Sequence, residues 1–264
     1  MMSYRGGIAL IKKNIFSYVA SRGFFWTLAL SWMMQPIIYM FVWLAIAGDG
    51  GVENFLKNDF IIYYICLIVI NQLTYPTSHW TVGDNIYNGT FSFWLLRPMN
   101  PMFEAISTDL AVKVISIPFV FVFTVIISIC MKVKIIVELR YMPLFIIALI
   151  LAQILRFMVA YTIAIGALVT TKINSLLSIN DTLIFLLAGQ AIPTVLLPGA
   201  AKAASNILPF KYMLGFPVEI LLGKLSYNEI IFGMAIQIIY IIFICVIRHL
   251  VWQAGLKKYT AYGG

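Results

Sequence analysis

Two ionisable side chains lie inside long apolar runs of this sequence. A charged side chain in such a place can bind a group of opposite charge or take part in the movement of a charged solute. Arg156 lies in the middle of the run 142–170, and Asp181 lies one to two helical turns into the run 176–198. A charge in hydrocarbon costs at least about 2.5 kcal/mol on insertion scales, so such side chains face protein or water. We expect Asp181 to act locally, because acidic side chains suit the start of a helix.

Arg156 is open to a structural and a functional interpretation. If the chain turns near residues 172–175, a rise of about 1.5 Å per residue places Arg156 roughly 25 Å from the turn and Asp181 about 10 Å from it. The two charges should then not be level. Gln190 should lie at the depth of Arg156, and Gln153 lies one turn from it. The guanidinium is therefore satisfied by Gln190, by a backbone carbonyl or by a second copy of the chain, or else it faces a substrate.

Uncharged polar and aromatic side chains recur in the same apolar runs. Trp32, Gln35 and Tyr39 follow a spacing that places them on one face of a helix. Helix packing explains each of them singly, whereas together they would suit the wall of a pathway for an amphipathic solute. The candidate pathway residues are Trp32, Gln35, Tyr39, Asn71, Gln72, Tyr75, Asn180 and Gln190.

Catalytic and metal-binding signatures are missing from the sequence. There is no Gly-x4-Gly-Lys-Ser/Thr phosphate loop and no Gly-x-Ser-x-Gly elbow, so any ATP and Mg²⁺ would be bound by another chain. The histidines, His79 and His249, stand alone, and we expect no metal site. Cys66, Cys130 and Cys245 lie in or beside apolar runs without ligand spacing, and we interpret them as small buried hydrophobes.

The elements that must position these side chains are membrane-spanning helices. Hydrophobic residues make up 62% of the chain and charged residues 11%, against about 45–50% and about 25% in soluble domains. Apolar segments lie at about 24–47, 60–79, 114–131, 142–170, 176–198 and 229–252, most of them near the ~20 residues that a span needs. Because hydrocarbon leaves no water for backbone groups, the sequence predicts an all-α integral membrane protein with six transmembrane helices.

Basic residues beside the outer spans predict the orientation. They are Arg5, Lys12, Lys13 and Arg22 before the first span, and Arg248, Lys257 and Lys258 after the last. Both termini are therefore expected in the cytoplasm, although Lys132, Lys134 and Arg140 then fall outside. The net charge of +8 is explained by cations that face anionic headgroups, and it requires no nucleic acid.

Two segments outside the central spans carry patterns of their own. In residues 3–22 the apolar side chains Ile8, Ile11, Ile15 and Val19 recur at helical spacing, which predicts an interfacial helix rather than a solvated tail. After the fifth span, prolines at 193, 198, 209 and 217 forbid one continuous helix. We expect broken, partly re-entrant helices there, buried by protein on the outer side.

A polar and amphipathic island, residues 84–101, separates the second span from the third. Ile86, Phe93 and Leu96 can share one helix face, and an aromatic-rich helix can fill a groove on a partner. An interfacial helix resting on lipid would also explain its tryptophan and arginine. The candidate contact residues are Asp84, Asn85, Ile86, Tyr87, Gly89, Phe91, Phe93, Trp94, Leu96, Arg97 and Pro98.

The chain resembles the permease subunits of ATP-binding-cassette exporters of the type-2, ABC-2-like family. Three stretches carry the resemblance in this order: 86–98, the Pro-punctuated 192–223, and the tail 255–264. The resemblance implies that the island contains a cytoplasmic coupling helix between spans two and three. It also implies two permease subunits, identical or related, joined to two separate ATPase subunits in the plasma membrane, which in a bacterium is the cytoplasmic membrane.

We therefore expect residues 1–264 to form one permease domain of an ATP-driven exporter that moves an amphipathic compound, such as a drug, peptide or lipid-linked molecule, by alternating access. Two alternatives stay open. An ion-gradient-driven secondary transporter would need a titratable midplane residue and internal repeats, and only Arg156 approaches the first requirement. The other alternative is a membrane anchor or assembly protein that transports nothing.

Overall fold

The computed structural model of the protein describes residues 4–20, 22–48, 50–53, 55–133, 139–170 and 173–259. The side chains of residues 4, 5, 22–32 and 139 are not described. The described part of the chain consists mainly of helices joined by turns. Those residues contain no strand, which confirms the all-α prediction. The helices are α1 (Tyr4–Ala20), α2 (Arg22–Ala47), α3 (Lys57–Thr74), α4 (Ser78–Tyr87), α5 (Ser92–Leu95), α6 (Pro101–Cys130), α7 (Met142–Ile165), α8 (Ile173–Leu187), α9 (Gly199–Ile207), α10 (Phe210–Met213), α11 (Gly215–Leu221) and α12 (Tyr227–Lys258).

Three helices are long and apolar enough to cross a membrane: α6, α12, and α7 together with the 3₁₀ turn that extends it to Leu168. The pair α3 and α4 is a fourth candidate if its bend of 41° is a break within one span. The apolar part of α2, Met33–Ala47, and α8 are shorter. The described residues thus give three or four candidate spans, and each of the six predicted segments overlaps one of these helices.

The largest differences between predicted span boundaries and observed helices occur in the third and fifth spans. The third span was predicted to start at residue 114, but α6 begins at Pro101, because Asn100 caps the helix by accepting a hydrogen bond from the backbone N–H of Met102 at 2.9 Å. The fifth was predicted to reach residue 198, but α8 ends at Leu187. Gly189 follows with a φ of +92°, which a continuing helix cannot accommodate.

Helix α3 forms the centre of the molecule. Phe60, Tyr63, Tyr64 and Leu67 on α3 are at most 1% exposed, and α2, α6, α7 and α11 pack around them. On α12, by contrast, Phe232, Ile239 and Phe243 are at least 60% exposed. Such side chains suit lipid or another apolar surface, so burial and apolar character are not equivalent in this fold.

The segment between α8 and α12 is broken into a 3₁₀ turn and the short helices α9, α10 and α11. Its backbone carbonyls find side-chain donors: Tyr63 donates to the carbonyl of Gly189 at 2.8 Å, and Tyr64 to that of Ala191 at 3.0 Å. Phe216 and Val218 are at most 2% exposed. We call residues 189–223 the outer segment. Its irregular backbone is tolerable because the surrounding protein buries and satisfies it.

Helix α1 packs on the start of α6 through its polar side. Asn14, which is buried, donates to the hydroxyl of Ser107 at 2.8 Å, whereas Phe16 and Val19 are exposed. Asn14 lies on the polar side of the helical pattern, and the structure shows that this side contacts protein. The exposed apolar face is the one available to a membrane interface.

The three cysteines do not share one environment. Cys66 is buried on α3, whereas Cys130 is exposed at the end of α6 and Cys245 is partly exposed on α12. The interpretation of all three as buried hydrophobes was therefore wrong for the last two. An apolar neighbourhood in sequence does not distinguish a protein core from a surface that can face lipid, because lipid tails are as apolar as leucine.

Candidate functional site

The island is two short helices and a turn rather than the single helix expected over residues 86–98. Helix α4 ends at Tyr87, and Gly89 adopts a φ of +74°, in the left-handed region that favours glycine. Thr90 closes the turn by donating from its hydroxyl to the side-chain oxygen of Asn85 at 3.0 Å. The break changes which side chains share a surface, so the predicted face of Ile86 with Phe93 and Leu96 is wrong.

One side of the island is anchored in a buried cluster. Ile86 is 5% exposed and Phe91 is fully buried, in contact with a cluster that includes residues of α6 and α7. The ring of Phe91 meets those of Trp252 and Tyr259 edge to face, each at 6.3 Å between centroids. The Tyr259 hydroxyl also donates to the carbonyl of Gly89 at 3.1 Å. The turn of the island is therefore held by the end of α12.

The other side of the island presents large apolar side chains to the outside. Tyr87, Phe93 and Leu96 are 68%, 66% and 83% exposed, and we call these three residues the island surface. Trp94 is half-buried and stacks obliquely on Phe91, whereas Asp84 and Pro98 are exposed. The predicted contact residues are thus divided between an anchor and a surface.

An ionic cluster ties the island to two neighbouring helices. Arg97 donates to one oxygen of the Glu104 carboxylate at 2.8 Å, and Lys13 of α1 donates to the other at 3.2 Å. Glu104 itself lies in the first turn of α6 and is 7% exposed. One carboxylate therefore joins α1, the island and α6.

A second candidate site is a polar cavity of about 480 Å³ between α2, α3, α7 and α8. Its wall includes Gln35, Asn71, Tyr75 and Gln190, four of the predicted pathway residues, together with Arg156 and Asp181. The two charges, predicted to lie at different depths, thus line one cavity, whose wall follows α8 from Asp181 to Phe185 and meets α7 at Arg156. Sequence spacing gives the depth of a residue along its own helix, but it does not predict which residues of two different helices line one cavity.

Arg156 is 2% exposed and is held by neutral groups. Its Nη1 donates to the side-chain oxygen of Asn71 at 2.8 Å and to the hydroxyl of Thr74 at 3.0 Å. Its guanidinium also lies 5.0 Å from the ring centroid of Tyr75. Gln190 donates at 3.3 Å to the same Asn71 oxygen, so the predicted bond between Gln190 and Arg156 is replaced by a shared acceptor.

The other predicted pathway residues lie elsewhere. Gln72 donates to the hydroxyl of Ser116 on α6 at 2.6 Å, and Tyr39 packs on Phe185 with 5.3 Å between ring centroids. Asn180 is buried and donates to Asp181 at 3.4 Å. The side chain of Trp32 lies outside the described residues. Gln72, Tyr39 and Asn180 therefore contact protein rather than lining the polar cavity.

The sequence reasoning missed a buried ion pair beside the cavity helices. Lys113 and Asp109 of α6 form a salt bridge of 2.6 Å, and both are at most 5% exposed. Asp109 also accepts from the backbone N–H of Thr77 and from the Gln153 amide, each at 2.9 Å. The spacing of four residues between opposite charges was a usable signal. It was overlooked because the span was predicted to start after Lys113.

The family assignment agrees with this architecture. The sequence model of a family described as ABC-2 family transporter protein matches residues 28–263, a range that contains the island, the polar cavity and the outer segment. No curated protein matches the chain. The matched range covers most of the sequence and confirms the resemblance of the chain to ABC-2 permeases, and the chain therefore belongs to the ABC-2 family of transporter proteins.

Proposed function

We propose that this chain is the membrane-spanning permease subunit of an ATP-driven exporter and that separate ATPase subunits dock on the island. Two permease subunits, identical or related, would join two ATPase subunits, which bind ATP and Mg²⁺. The chain would cross the plasma membrane six times with both termini in the cytoplasm, and the outer segment would re-enter from the opposite side. Membership in the ABC-2 family supports the permease role.

The observation that carries the proposal is the island surface. Tyr87, Phe93 and Leu96 are each at least 66% exposed, although they stand on a turn that is fixed by buried contacts. A rigid cluster of exposed large apolar side chains is typical of a surface that another protein covers. The nearby cations Arg97 and Lys13 share the single carboxylate of Glu104, so one positive charge is left over at the rim, which favours an acidic partner groove.

The contacts of the island provide a route for movement into the membrane helices. Phe91 packs on α12 through Trp252 and Tyr259, and Glu104 connects the island to α1 and α6. A partner that displaces the island would therefore displace the ends of three helices together. Alternating access would follow if ATP binding by the partner stabilises one arrangement of these helices over another.

Copurification combined with transport measurements tests the proposal. We expect a tagged form of this chain, isolated from its native membrane at native expression, to bring down an ATPase chain, and we expect vesicles that contain the complex to show ATP-dependent flux. Vesicles supplied with a non-hydrolysable ATP analogue are the control. The exporter function is wrong if no ATPase accompanies the protein and flux follows an ion gradient or is absent.

A further inference from the structure

We propose that the polar cavity binds the anionic headgroup of an amphipathic molecule and that the Arg156 guanidinium contacts its carboxylate or phosphate group. The description of this molecule as cargo rests on the proposed transport function, whereas the binding site stands on the geometry of the cavity alone. The wall combines one buried cation with amide groups and with the apolar side chains of Ile184 and Phe185. A headgroup and the start of an acyl or aromatic tail fit such a wall.

Arg156 differs from the other buried charges in forming no salt bridge, although Asp181 and Asp109 are close enough to interact with it electrostatically. Lys113 is paired with Asp109 at 2.6 Å, and Glu219 with Lys211 at 3.3 Å. None of the salt bridges among the described residues involves Arg156. Because its hydrogen-bond partners are neutral and no carboxylate pairs with it directly, part of its desolvation cost is uncompensated, so an incoming anion gains more there than at a paired site.

The guanidinium also has hydrogen-bonding capacity left. Nη1 is used by Asn71 and Thr74, but Nε, which is buried, has no hydrogen-bond partner among the described residues. An arginine presents its N–H groups in a planar fork that matches a carboxylate or a phosphate. Asn71 and Thr74 occupy the Nη1 side of this fork, and the Nε N–H group is left without a partner among the described residues.

The orientation of Arg156 is fixed before any ligand arrives. Asn71 accepts from Arg156 at 2.8 Å and from Gln190 at 3.3 Å, and the Tyr75 ring covers one face of the guanidinium. A side chain that is already ordered loses little conformational entropy on binding, which raises affinity. The cavity of about 480 Å³ leaves room for an eight-carbon amphipath.

Asp181 is the second charge on the cavity wall and sets a limit on the ligand. It is partly exposed and accepts a long hydrogen bond of 3.4 Å from Asn180. Its carboxylate repels an anion, so the site should favour a headgroup with one negative charge over a headgroup with two. The same repulsion predicts that removal of the Asp181 charge tightens the binding of an anion.

Equilibrium binding of radiolabelled octanoate to the purified permease, in an uncharged detergent and without any ATPase, tests the site. We expect saturable binding that unlabelled octanoate displaces and that octanol and octylammonium, which have the same chain length, do not. Arg156→Gln should weaken binding at least about tenfold, because a charge-assisted hydrogen bond is lost. Arg248→Gln, the same substitution on α12 away from the cavity, is the matched control and should bind as the unaltered protein does.

Asp181→Asn keeps the test decisive if Arg156→Gln fails to fold. This variant should bind octanoate about three- to tenfold more tightly, because one repulsive charge is gone. The proposal is overturned if octanol displaces octanoate as well as octanoate itself does, or if neither cavity variant changes the affinity relative to Arg248→Gln. Since no ATPase is present, a failure of the exporter function does not produce either of these results.

An anionic lipid headgroup and a soluble amphipathic anion share the proposed chemistry. A short-chain phosphatidylglycerol and the matching phosphatidylcholine, added as competitors in the same assay, distinguish the two sources. Displacement by phosphatidylglycerol alone assigns the site to a lipid headgroup, and displacement by neither lipid assigns it to a soluble anion. Displacement by both lipids to the same extent contradicts a site that selects for negative charge.

Discussion

The island and the outer segment are both broken, glycine-containing stretches between long helices, yet they treat their apolar side chains in opposite ways. The island exposes Phe93 and Leu96 at 66% and 83%, whereas the outer segment buries Phe216 and Val218 to at most 2%. Irregular backbone is thus common to both, and the difference lies in these large side chains, although Ile207 of the outer segment is 70% exposed and Phe91 of the island is fully buried. A break that buries them holds helices together, and a break that exposes them is available to a partner.

The largest loss of stability should follow Phe216→Ala in the outer segment. The ring lies against Gly233 of α12, and its removal leaves a cavity that the surroundings cannot fill, at a cost of about 3–5 kcal/mol. Denaturant titration of the protein in detergent measures this free energy of unfolding. The matched variant Phe93→Ala on the island should change the free energy of unfolding by less than about 0.5 kcal/mol. Equal losses in the two variants would contradict the difference between the outer segment and the island.

A smaller and pH-dependent loss should follow Lys211→Gln. Burial raises the pKa of the Glu219 carboxyl, and the nearby Lys211 ammonium, at 3.3 Å, opposes that shift. Without Lys211 the carboxylate is buried unpaired, at a cost of about 2 kcal/mol near neutral pH. As the pH falls, Glu219 takes up a proton and this cost disappears, so the stability gap between variant and unaltered protein should narrow.

The measurement for this variant is the free energy of unfolding at about pH 7.5 and about pH 5. Lys202→Gln replaces an exposed lysine on α9 and should leave stability unchanged at both. A gap that is constant with pH would show that Glu219 is not the group responsible.

In the island, Gly89→Ala should cost about 1 kcal/mol, because a φ of +74° strains any residue with a Cβ. The altered turn should also weaken the stimulation of the partner ATPase by the permease. Gly199→Ala is the control, since a Cβ at that position meets nothing within 4 Å and α9 gains a better helix former. Thermal unfolding and ATPase assays of both variants measure the two effects. The expected difference between the two glycines is contradicted if Gly199→Ala lowers stability or ATPase stimulation more than Gly89→Ala does.

The smallest effect on stability, with a large effect on coupling, is expected for Leu96→Ser. This side chain is 83% exposed, so its replacement should change the free energy of unfolding by less than about 0.5 kcal/mol. ATPase stimulation should nevertheless fall, because an apolar contact is lost. Ile207→Ser removes a side chain that is 70% exposed in the outer segment and should leave stimulation unchanged. Equal ATPase stimulation by the two variants would show that the island and the outer segment do not differ in this function.

The sequence predicted the helical class, the polar island between the second and third spans, and the broken backbone of the outer segment for physical reasons. Hydrocarbon requires helices, and the closely spaced prolines of the outer segment prevent one continuous helix there, although the single Pro118 lies inside α6 without ending it. It did not predict the division of the island, although the dipeptide Asn88-Gly89 is a turn signal. It also assigned Ile86 and Phe93 to one face, which holds only for an unbroken helix.

The partners of Arg156 were beyond the sequence for a different reason. Spacing along α7 gives the depth of the guanidinium, but the choice of Asn71 over Gln190 depends on how α3 is rotated toward α7. Helix rotation is set by packing between elements far apart in the chain. The set of residues that line the cavity depends on those contacts, so it could not be predicted from the sequence alone.

The hydrogen bond from Tyr259 to the carbonyl of Gly89 spans 170 positions of the chain. During synthesis the island is made early, but its turn is clamped only after α12 has been inserted and Tyr259 has left the ribosome. Until then Phe91 lacks the rings of Trp252 and Tyr259 that cover it. The island therefore acquires the contacts that fix its turn only after α12 has been made.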